Sequence, residues 1–328
     1  MLEVKPMPLL PFMTEDTLDL CANLQLREHD IFICSYPKSG TTWTQHIIIS
    51  ILLQNRLNLN KCEIGDSQSS IVQEVIPYTH VSQFAPFYEV EKHWDKPSKN
   101  LNSEIQLNQS WLGWRVFNTH LRWDMLPKSS KIYSGDLKSC RRPKFIYITR
   151  SPLDACVSFF HHLSNQNEGG FVGTFDDFFT KWTKGEIAFG SYSDHILSFS
   201  NAFEVGEEDI FLLSYEEMVS NLPHAVDKLI DFLELDNSIT LEQREKLLPT
   251  FKFSSMAKKL DKFQPKSVTW KNDFQFLRKG RTGDAKHMMS QKQIDLYREL
   301  IKEDRVLEKI NSCEIDNKEK NIFLSLFE

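Results

Sequence analysis

The chain has 328 residues, of which 41% are hydrophobic and 26% are charged, a balance typical of a globular protein with a large core. Its net charge of −6 at pH 7 argues against a general nucleic-acid-binding protein, and no segment approaches the roughly 20 consecutive apolar residues that cross a membrane. The six cysteines are scattered without a C-x-x-C pair, which favours reduced thiols, no metal site and a cytoplasmic location.

The first 30 residues form a polar lead-in. It contains a possible helix near Glu15–Leu24, for which Thr14 or Asp16 could be the cap. A proline-rich piece at Pro8–Phe12 is either part of a ligand pocket or a packed strap. The apolar run Ile31–Cys34 then predicts a buried strand.

Strands and helices alternate along the rest of the chain. Strands are predicted at 115–119, 144–149 and 210–214, and helices after Ser151 and at 174–200, 223–235, 241–249 and 290–302. Residues 55–110 and 265–286 lack periodicity, which is typical of functional loops, and 306–328 reads as a charged tail. The alternation predicts an α/β fold with one domain, whose central parallel sheet is flanked by helices.

A phosphate-binding loop is predicted between the first strand and the apolar helix that follows it. The sequence there is Tyr-Pro-Lys-Ser-Gly-Thr-Thr-Trp, residues 36–43. A loop between a strand and a helix start can direct backbone N–H groups at an anion. Lys38 adds a charge, Gly40 permits a close approach, and Ser39, Thr41 and Thr42 add hydroxyls. The stretch is P-loop-like but does not match G-x-x-x-x-G-K-[ST], because the first glycine is absent and Lys38 precedes Gly40.

Residues 36–43 resemble the phosphosulfate loop of the cytosolic sulfotransferases, which use 3′-phosphoadenosine 5′-phosphosulfate (PAPS). Two further segments extend the resemblance: Thr149–Ser158, with Arg150 and Ser158 eight residues apart, and Arg278–Asp284, which reads R-K-G-R-T-G-D. The resemblance implies that Arg150, Ser158, Arg278, Lys279 and Gly280 hold the 3′-phosphate of the nucleotide. Arginine suits this task because its planar guanidinium can bind a phosphate through two N–H groups.

The resemblance also assigns three aromatic residues to the nucleotide. Trp43 and Phe253 match the two aromatics that stack on adenine, an interaction that contributes on the order of 1–3 kcal/mol per base. Tyr215 matches a tyrosine near the nucleotide. Ala285 departs from the family, which commonly has tryptophan there, and Lys286–Asp295 only partly matches its dimer motif. The predicted homodimer therefore rests on a dimer motif that this chain only partly matches.

His120 is the candidate catalytic base, in a Thr-His-Leu segment that resembles the family's. Its imidazole, with an ordinary pKa near 6.5, can take a proton from an acceptor hydroxyl at neutral pH. Lys38 is the second candidate catalytic residue, since it can stabilise the departing phosphate oxygen. Asn118 stands where the family often has a lysine; with Thr119 and His120 it is predicted to contact the acceptor.

The sequence therefore predicts a sulfotransferase domain over 31–305. We expect it to transfer a sulfonate from PAPS to a small-molecule acceptor, by in-line displacement and without a metal, leaving adenosine 3′,5′-bisphosphate (PAP). The aromatic residues favour a phenol or alcohol, whereas Trp123 and Asp124 could suit an amine. Two alternatives remain: a PAP- or PAPS-binding protein with weak or no catalysis, prompted by Asn118 and Ala285, and a P-loop kinase. The strand at 145–149 ends in Thr-Arg without the magnesium-binding carboxylate of P-loop NTPases, which argues against the kinase.

Overall fold

The computed structural model describes residues 7–64, 78–128, 142–206, 209–271 and 274–327. Its strands are β1 (Asp30–Ser35), β2 (Trp94–Asp95), β3 (Asn100–Leu101), β4 (Arg115–Thr119), β5 (Lys144–Thr149) and β6 (Asp209–Ser214). Its helices are α1 (Glu15–Ala22), α2 (Thr41–Ile64), α3 (Ser103–Leu112), α4 (Pro152–Ser164), α5 (Phe175–Thr183), α6 (Tyr192–Val205), α7 (Tyr215–Ser220), α8 (Leu222–Phe232), α9 (Leu241–Phe251), α10 (Phe253–Ala257), α11 (Ala285–Met288), α12 (Gln291–Glu303), α13 (Val306–Ser312) and α14 (Asn317–Ser325).

Four of these strands form a parallel sheet in the order β4-β1-β5-β6. In register, Phe32 of β1 pairs with Phe117 of β4 on one side and with Phe145 of β5 on the other. The chain leaves β1 for β4 and then returns to the opposite side of β1 with β5, so its direction of winding changes at β1. Ligands of open α/β sheets bind beside such a change, beyond the carboxyl ends of the strands. The predicted α/β fold with a central parallel sheet is confirmed.

Both faces of the sheet are buried, because strand side chains alternate between two apolar clusters. One cluster includes Phe32, Phe117 and Phe145, whereas the neighbouring residues Ile33 and Ile146 belong to the other. All six residues of β1 and all six of β5 are buried. Helices therefore cover the sheet on both sides and leave its carboxyl edge as the place where polar side chains can meet.

Three predicted helix starts appear where the sequence places them. Thr14 caps α1 by accepting from the backbone N–H of Thr17. Pro152 occupies the first turn of α4, where a missing N–H has no cost. Thr174 forms a capping box with Asp177 at the start of α5, which satisfies two otherwise unpaired backbone donors.

Three segments are more helical than the sequence indicates. Helix α2 continues to Ile64, and α3 forms within the region predicted to consist of loops. The segment 306–328, predicted to be a charged tail, instead folds into α13 and α14, which bury Val306, Ile310 and Phe323. The numerous charges there occupy exposed positions between apolar residues that face the core. Residues 1–6, 65–77, 129–141, 207–208, 272–273 and 328, which include Cys140, lie outside the described residues.

None of the helices in the described part of the chain is both long and apolar enough to span a bilayer. Four cysteines are buried free thiols: Cys21, Cys34, Cys156 and Cys313. Across the ranges that the structure describes, no three His, Cys, Asp or Glu side chains are grouped so that they could hold a metal ion.

Candidate active site

A cavity of about 200 Å³ opens at the carboxyl edge of the sheet. Four connections reach it from four neighbouring strands: the loop after β1, His120 after β4, Arg150 after β5 and Tyr215 after β6. Its walls include thirteen of the residues predicted from sequence: Lys38, Gly40, Thr41, Thr42, Trp43, His120, Arg150, Ser158, Tyr215, Phe253, Arg278, Lys279 and Gly280. The structure thus brings residues from six separated segments of the chain to one place.

The loop after β1 has a backbone conformation that requires glycine. Gly40 has φ +106°, and a Cβ built on it would lie 2.8 Å from Cδ2 of Tyr215. Lys38 also has a positive φ, at 69°, so the chain reverses direction tightly before α2 begins. The Thr41 hydroxyl lies 2.8 Å from the Ser35 hydroxyl. The loop therefore brings its backbone close to the cavity at the N-terminus of a long helix, where the helix dipole favours an anion.

Arg150 ties the end of β5 to this loop. Its Nη1 donates to the carbonyl oxygen of Lys38 over 2.7 Å, and its guanidinium carbon lies 4.3 Å from the centre of the Tyr215 ring. Its Nε is buried without a hydrogen-bond partner among the described residues. Ser158 lines the same cavity from α4. Arg150 thus has a donor unused at the wall of the cavity.

The segment 278–284 closes the cavity on another side and is held by α4. The carboxylate of Asp154 accepts from the backbone N–H groups of Gly283 and Ala285, over 2.6 and 2.8 Å. Asp284 pairs with Arg278 and Lys279, which places both cations beside the cavity. Asp154 itself is only 2% exposed, so these backbone contacts are shielded from water.

Three aromatic side chains surround one part of the cavity. The Trp43 indole N–H donates to the carbonyl oxygen of Phe251 over 2.8 Å, and its ring meets Tyr215 edge to face at 5.9 Å. Phe253 lies against Gly280, where an added Cβ would come within 2.2 Å of its ring. Gly280 has φ +61°, so both its backbone and its lack of a side chain suit this close contact.

His120 has a defined tautomer. Its Nδ1 lies 2.8 Å from the carbonyl oxygen of Ser35, and a carbonyl can only accept, so Nδ1 carries the proton and Nε2 presents a lone pair. The ring lies between Phe87 and Phe189, at centroid distances of 5.0 and 5.2 Å. Burial above all, and then the nearby Lys38 ammonium, lower the pKa of His120 to about 4. The imidazole is therefore neutral at pH 7 and free to accept a proton.

Lys38 reaches across the cavity to α4. Its Nζ lies 3.2 Å from Nδ1 of His162 and 4.4 Å from the centre of the Phe276 ring. Burial, followed by the charges of Arg150 and Arg278, lowers the pKa of Lys38 to about 7. An anion bound in the cavity would restore the charged form of the amine.

Two site residues were missed by the sequence reasoning. His162 lies four residues after Ser158 on α4, and this one-turn spacing, which puts both on one helix face, is a signal that could have identified it. No recognisable sequence motif includes Glu89. Its Oε1 accepts from the backbone N–H of His120 over 2.8 Å, Oε2 is buried without a partner among the described residues, and burial raises the pKa of Glu89 to about 7.

Three predicted site residues do not line the cavity. Ser39 is fully buried, and its hydroxyl has no partner among the described residues. Asn118 is also fully buried, and its side-chain amide likewise has no partner there. Thr119 is buried and accepts from the backbone N–H of Leu121 over 3.0 Å. Neither Asn118 nor Thr119 is therefore among the residues that line the cavity.

Comparison with known proteins supports a single family. The model of the sulfotransferase domain matches residues 28–312. The chain is 26% identical to sulfotransferase 1C2 of Rattus norvegicus, over 92% of this chain and 91% of that one, and 26% identical to the amine sulfotransferase of Oryctolagus cuniculus, over 88% and 84%. It is 29% identical to the luciferin sulfotransferase of Photinus pyralis over 71% of this chain, a match that spans 58% of that relative.

Solved structures share the fold. A mouse sulfotransferase, SULT7A1, crystallised with PAP, superposes with a TM-score of 0.65 at 23% identity, covering 96% of this chain and 94% of that one. Retinol dehydratase, crystallised with androsterone and PAP, gives 0.64 at 19% identity, covering 94% and 89%. At these identities the likeness establishes the fold alone. Because the domain model covers most of its length, however, the chain belongs to the sulfotransferase family.

Proposed function

We propose that this protein transfers a sulfonate group from PAPS to a hydroxyl or amine of a small-molecule acceptor, with His120 as the general base and PAP as the second product. The observation that carries the proposal is the hydrogen bond from Arg150 to the backbone of Lys38, at a cavity that Arg278 and His120 also line. The loop of Lys38, Arg150, the segment of Arg278 and the neutral imidazole of His120 thus face the same cavity.

The side chains around the cavity suit a nucleotide with phosphates at both ends. Lys38, Arg150, Arg278 and Lys279 supply positive charge at its walls. The buried Nε of Arg150 lacks a partner among the described residues, and buried polar groups usually have one. We infer that the loop holds the phosphosulfate, whereas Arg150, with Ser158 and the 278–280 segment, holds the 3′-phosphate.

The aromatic part of the cavity suits the adenine. Trp43 and Phe253 both line it, and the hydrogen bond from the indole to Phe251 fixes the orientation of Trp43. A flat base between two aromatic rings gains stacking energy without losing hydrogen bonds at its edges. Tyr215 contacts both Trp43 and Arg150. It therefore lies between the part of the cavity proposed for the adenine and the part proposed for the 3′-phosphate.

The chemistry assigned to the chain is proton transfer and charge stabilisation. When bound, PAPS supplies the sulfonate and a phosphate leaving group. The lone pair on Nε2 of His120 accepts the proton of the attacking hydroxyl or amine, and the Ser35 carbonyl stabilises the resulting imidazolium through Nδ1. Lys38 and the N–H groups of the loop stabilise negative charge that develops on the departing oxygen.

The acceptor side of the cavity is mostly apolar. Its walls include Leu10, Phe12, Met13, Phe87, Val90, Phe159, Phe189, Val268 and Phe276. Two of these, Leu10 and Phe12, come from the proline-rich lead-in. Retinol and androsterone occupy structures of a distant neighbour, and one relative is named for amines. We propose an apolar acceptor with one hydroxyl or amine, and the contacts of Asn118 and Thr119 with it stay predictions.

A test of the function replaces the proposed base and leaves the nucleotide site intact. In His120→Ala, sulfonate transfer from PAPS should fall by about 10²- to 10⁴-fold, the usual contribution of a positioned base, while PAP still binds with the affinity of the parent protein. His224→Ala, an exposed substitution on α8, is the matched control. Transfer that continues unchanged in His120→Ala would exclude this histidine as the base.

A nucleotide-binding protein with little catalysis is the second candidate. It is favoured by the burial of Asn118 at the position where the family often has a lysine, and by Ala285. Tight PAP binding without transfer to any member of a broad panel of phenols, alcohols and amines would select this candidate. A cytoplasmic location and a homodimer stay predictions of the sequence.

A further inference from the structure

A second imidazole stands in the cavity in direct contact with Lys38. His162 lies on α4, one turn beyond Ser158, and lines the cavity. Its Nδ1 is 3.2 Å from the Lys38 Nζ. The ring also packs edge to face against Trp270 and Phe276, at centroid distances of 5.0 and 5.8 Å. Any aromatic ring could provide the packing, but only an acceptor atom can provide the contact with Lys38.

The direction of this hydrogen bond follows from charge. Burial, then the nearby Lys38 and His120, lower the pKa of His162 well below its ordinary value, so the imidazole is neutral at pH 7. An ammonium has no acceptor site. When Lys38 is protonated, Nδ1 of His162 therefore carries the lone pair and accepts from the ammonium, and the imidazole proton lies on Nε2.

We propose that His162 is a positioning residue for Lys38: its Nδ1 accepts a hydrogen bond from the ammonium and holds the cation beside the glycine turn, ready for the sulfonate end of PAPS. The inference rests on the proposed function. It gives Lys38 a fixed position in a chain that has the neutral, buried Asn118 where the family often has a lysine. Among the described residues no carboxylate forms an ion pair with Lys38, so the imidazole is the polar group that orients it.

The surrounding charges oppose a protonated Lys38. Arg150 and Arg278 both lower its pKa, and burial lowers it further, to about 7. Asp284 is already paired with Arg278 and Lys279. His120 is neutral, and Glu89, which lines the same cavity, has a pKa raised to about 7 by burial. A hydrogen bond from the ammonium to His162 favours the charged form of Lys38, so its removal should lower the pKa of Lys38 further.

The decisive variant is His162→Phe, which keeps an aromatic ring against Trp270 and removes the acceptor atom. PAP binding is measured by calorimetry between pH 6 and pH 9, in buffers that differ in ionisation heat, to count the protons taken up. In the parent protein, uptake should rise as the pH passes about 7, because PAP recharges Lys38. In His162→Phe this rise should begin about 0.5–1 pH unit lower, the effect expected from one hydrogen bond.

Transfer kinetics give a second measurement on the same variant. We expect kcat/KM at pH 8 to fall about 3- to 10-fold in His162→Phe, the range expected from a shift of 0.5–1 unit in the pKa of Lys38 in the free enzyme. The change in kcat should be smaller, because bound PAPS restores the charge of Lys38. His162→Asn, whose amide oxygen can accept from Lys38, should recover part of the loss, and the exposed substitution His224→Phe is the control. Proton uptake and pH profiles in His162→Phe that match the parent protein would overturn the proposal.

A measurement on the parent protein does not depend on whether the His162 variants fold. Nitrogen-15 chemical shifts of the histidine rings should show His162 as neutral with its proton on Nε2, whereas a proton on Nδ1 would contradict the proposed hydrogen bond. These readouts also separate the two proposals. If the parent protein binds PAP but transfers no sulfonate, the function is wrong, and the proton uptake still decides the role of His162.

Discussion

Replacing Asp154 with asparagine should weaken nucleotide binding although this side chain does not line the cavity. Both of its oxygens accept from backbone N–H groups, those of Gly283 and Ala285, at 2.6 and 2.8 Å. In Asp154→Asn one oxygen remains, and the new NH₂ group faces a backbone N–H that it cannot accept from. The segment that carries Arg278 and Lys279 therefore loses one of its two attachments to α4.

The size of the effect follows from the kind of bond that is lost. A hydrogen bond to a charged group contributes about 1.5–3 kcal/mol, and each 1.4 kcal/mol corresponds to a tenfold change in affinity. If the loss appears mainly as disorder of the segment in the free protein, PAP should bind roughly 10- to 150-fold more weakly. The contacts of Lys38 and Arg150 with each other should remain.

Calorimetric titration with PAP measures the affinity, and thermal unfolding monitors the fold. Asp231→Asn, a substitution of the same type at an exposed position of α8, should bind PAP like the parent protein. The reasoning would be refuted by an Asp154→Asn protein that folds normally and binds PAP within twofold of the parent affinity.

Two further predictions concern the glycine at the cavity wall and the buried histidines. In Gly280→Ala the new Cβ should displace Phe253 and weaken PAP binding tenfold or more, since backbone strain alone costs about 1–2 kcal/mol. The control is Gly283→Ala, which has a similar φ but no atom within 4 Å of the new Cβ and should weaken PAP binding less. Equal losses of affinity in the two variants would exclude the contact with Phe253 as the cause. Thermal unfolding should move to lower temperature from pH 7 to pH 5, because histidines with pKa values lowered by burial bind protons only when the chain unfolds, at a cost on the order of 1–2 kcal/mol each at pH 5. The residues concerned are His46, His93 and His120, with pKa values of about 4, and His195, with a value of about 3. Glu89, with its raised pKa, stabilises the fold as the pH falls, but it is one group against four histidines. An unfolding temperature that rises from pH 7 to pH 5 would therefore contradict the assignment of neutral buried histidines.

The convergence of the loop, Arg150 and Ser158 on one cavity was predictable because its signals are local. Residues 36–43 carry their loop chemistry within eight positions, and Arg150 and Ser158 are fixed relative to each other by one helix. The strands of the central sheet are continuous apolar runs because both faces of the sheet are buried. From these runs, the meeting of the loop and Arg150 at the carboxyl edge follows from parallel topology.

Other features could not be predicted as easily, because their contacts join positions far apart in the chain. Glu89 belongs to a region without periodicity, and its role depends on a contact with the backbone of His120, 31 positions away. The contact of His162 with Lys38 spans 124 positions. Helices α13 and α14 were missed because charged residues are interspersed among the apolar residues, such as Phe323, that attach them to the core. The contacts of Glu89 and Phe323 arise from tertiary packing and leave no local pattern, whereas the one-turn spacing from Ser158 places His162 on the same face of α4.

The most direct test of the central claim is a crystal structure of the protein grown with PAP. We predict the 3′-phosphate within hydrogen-bonding distance of Arg150 and Ser158, the 5′-phosphate at the loop of Lys38 and Gly40, and the adenine between Trp43 and Phe253. Density for PAP outside this cavity, or inside it with neither phosphate in contact with Arg150 or the loop, would contradict the account.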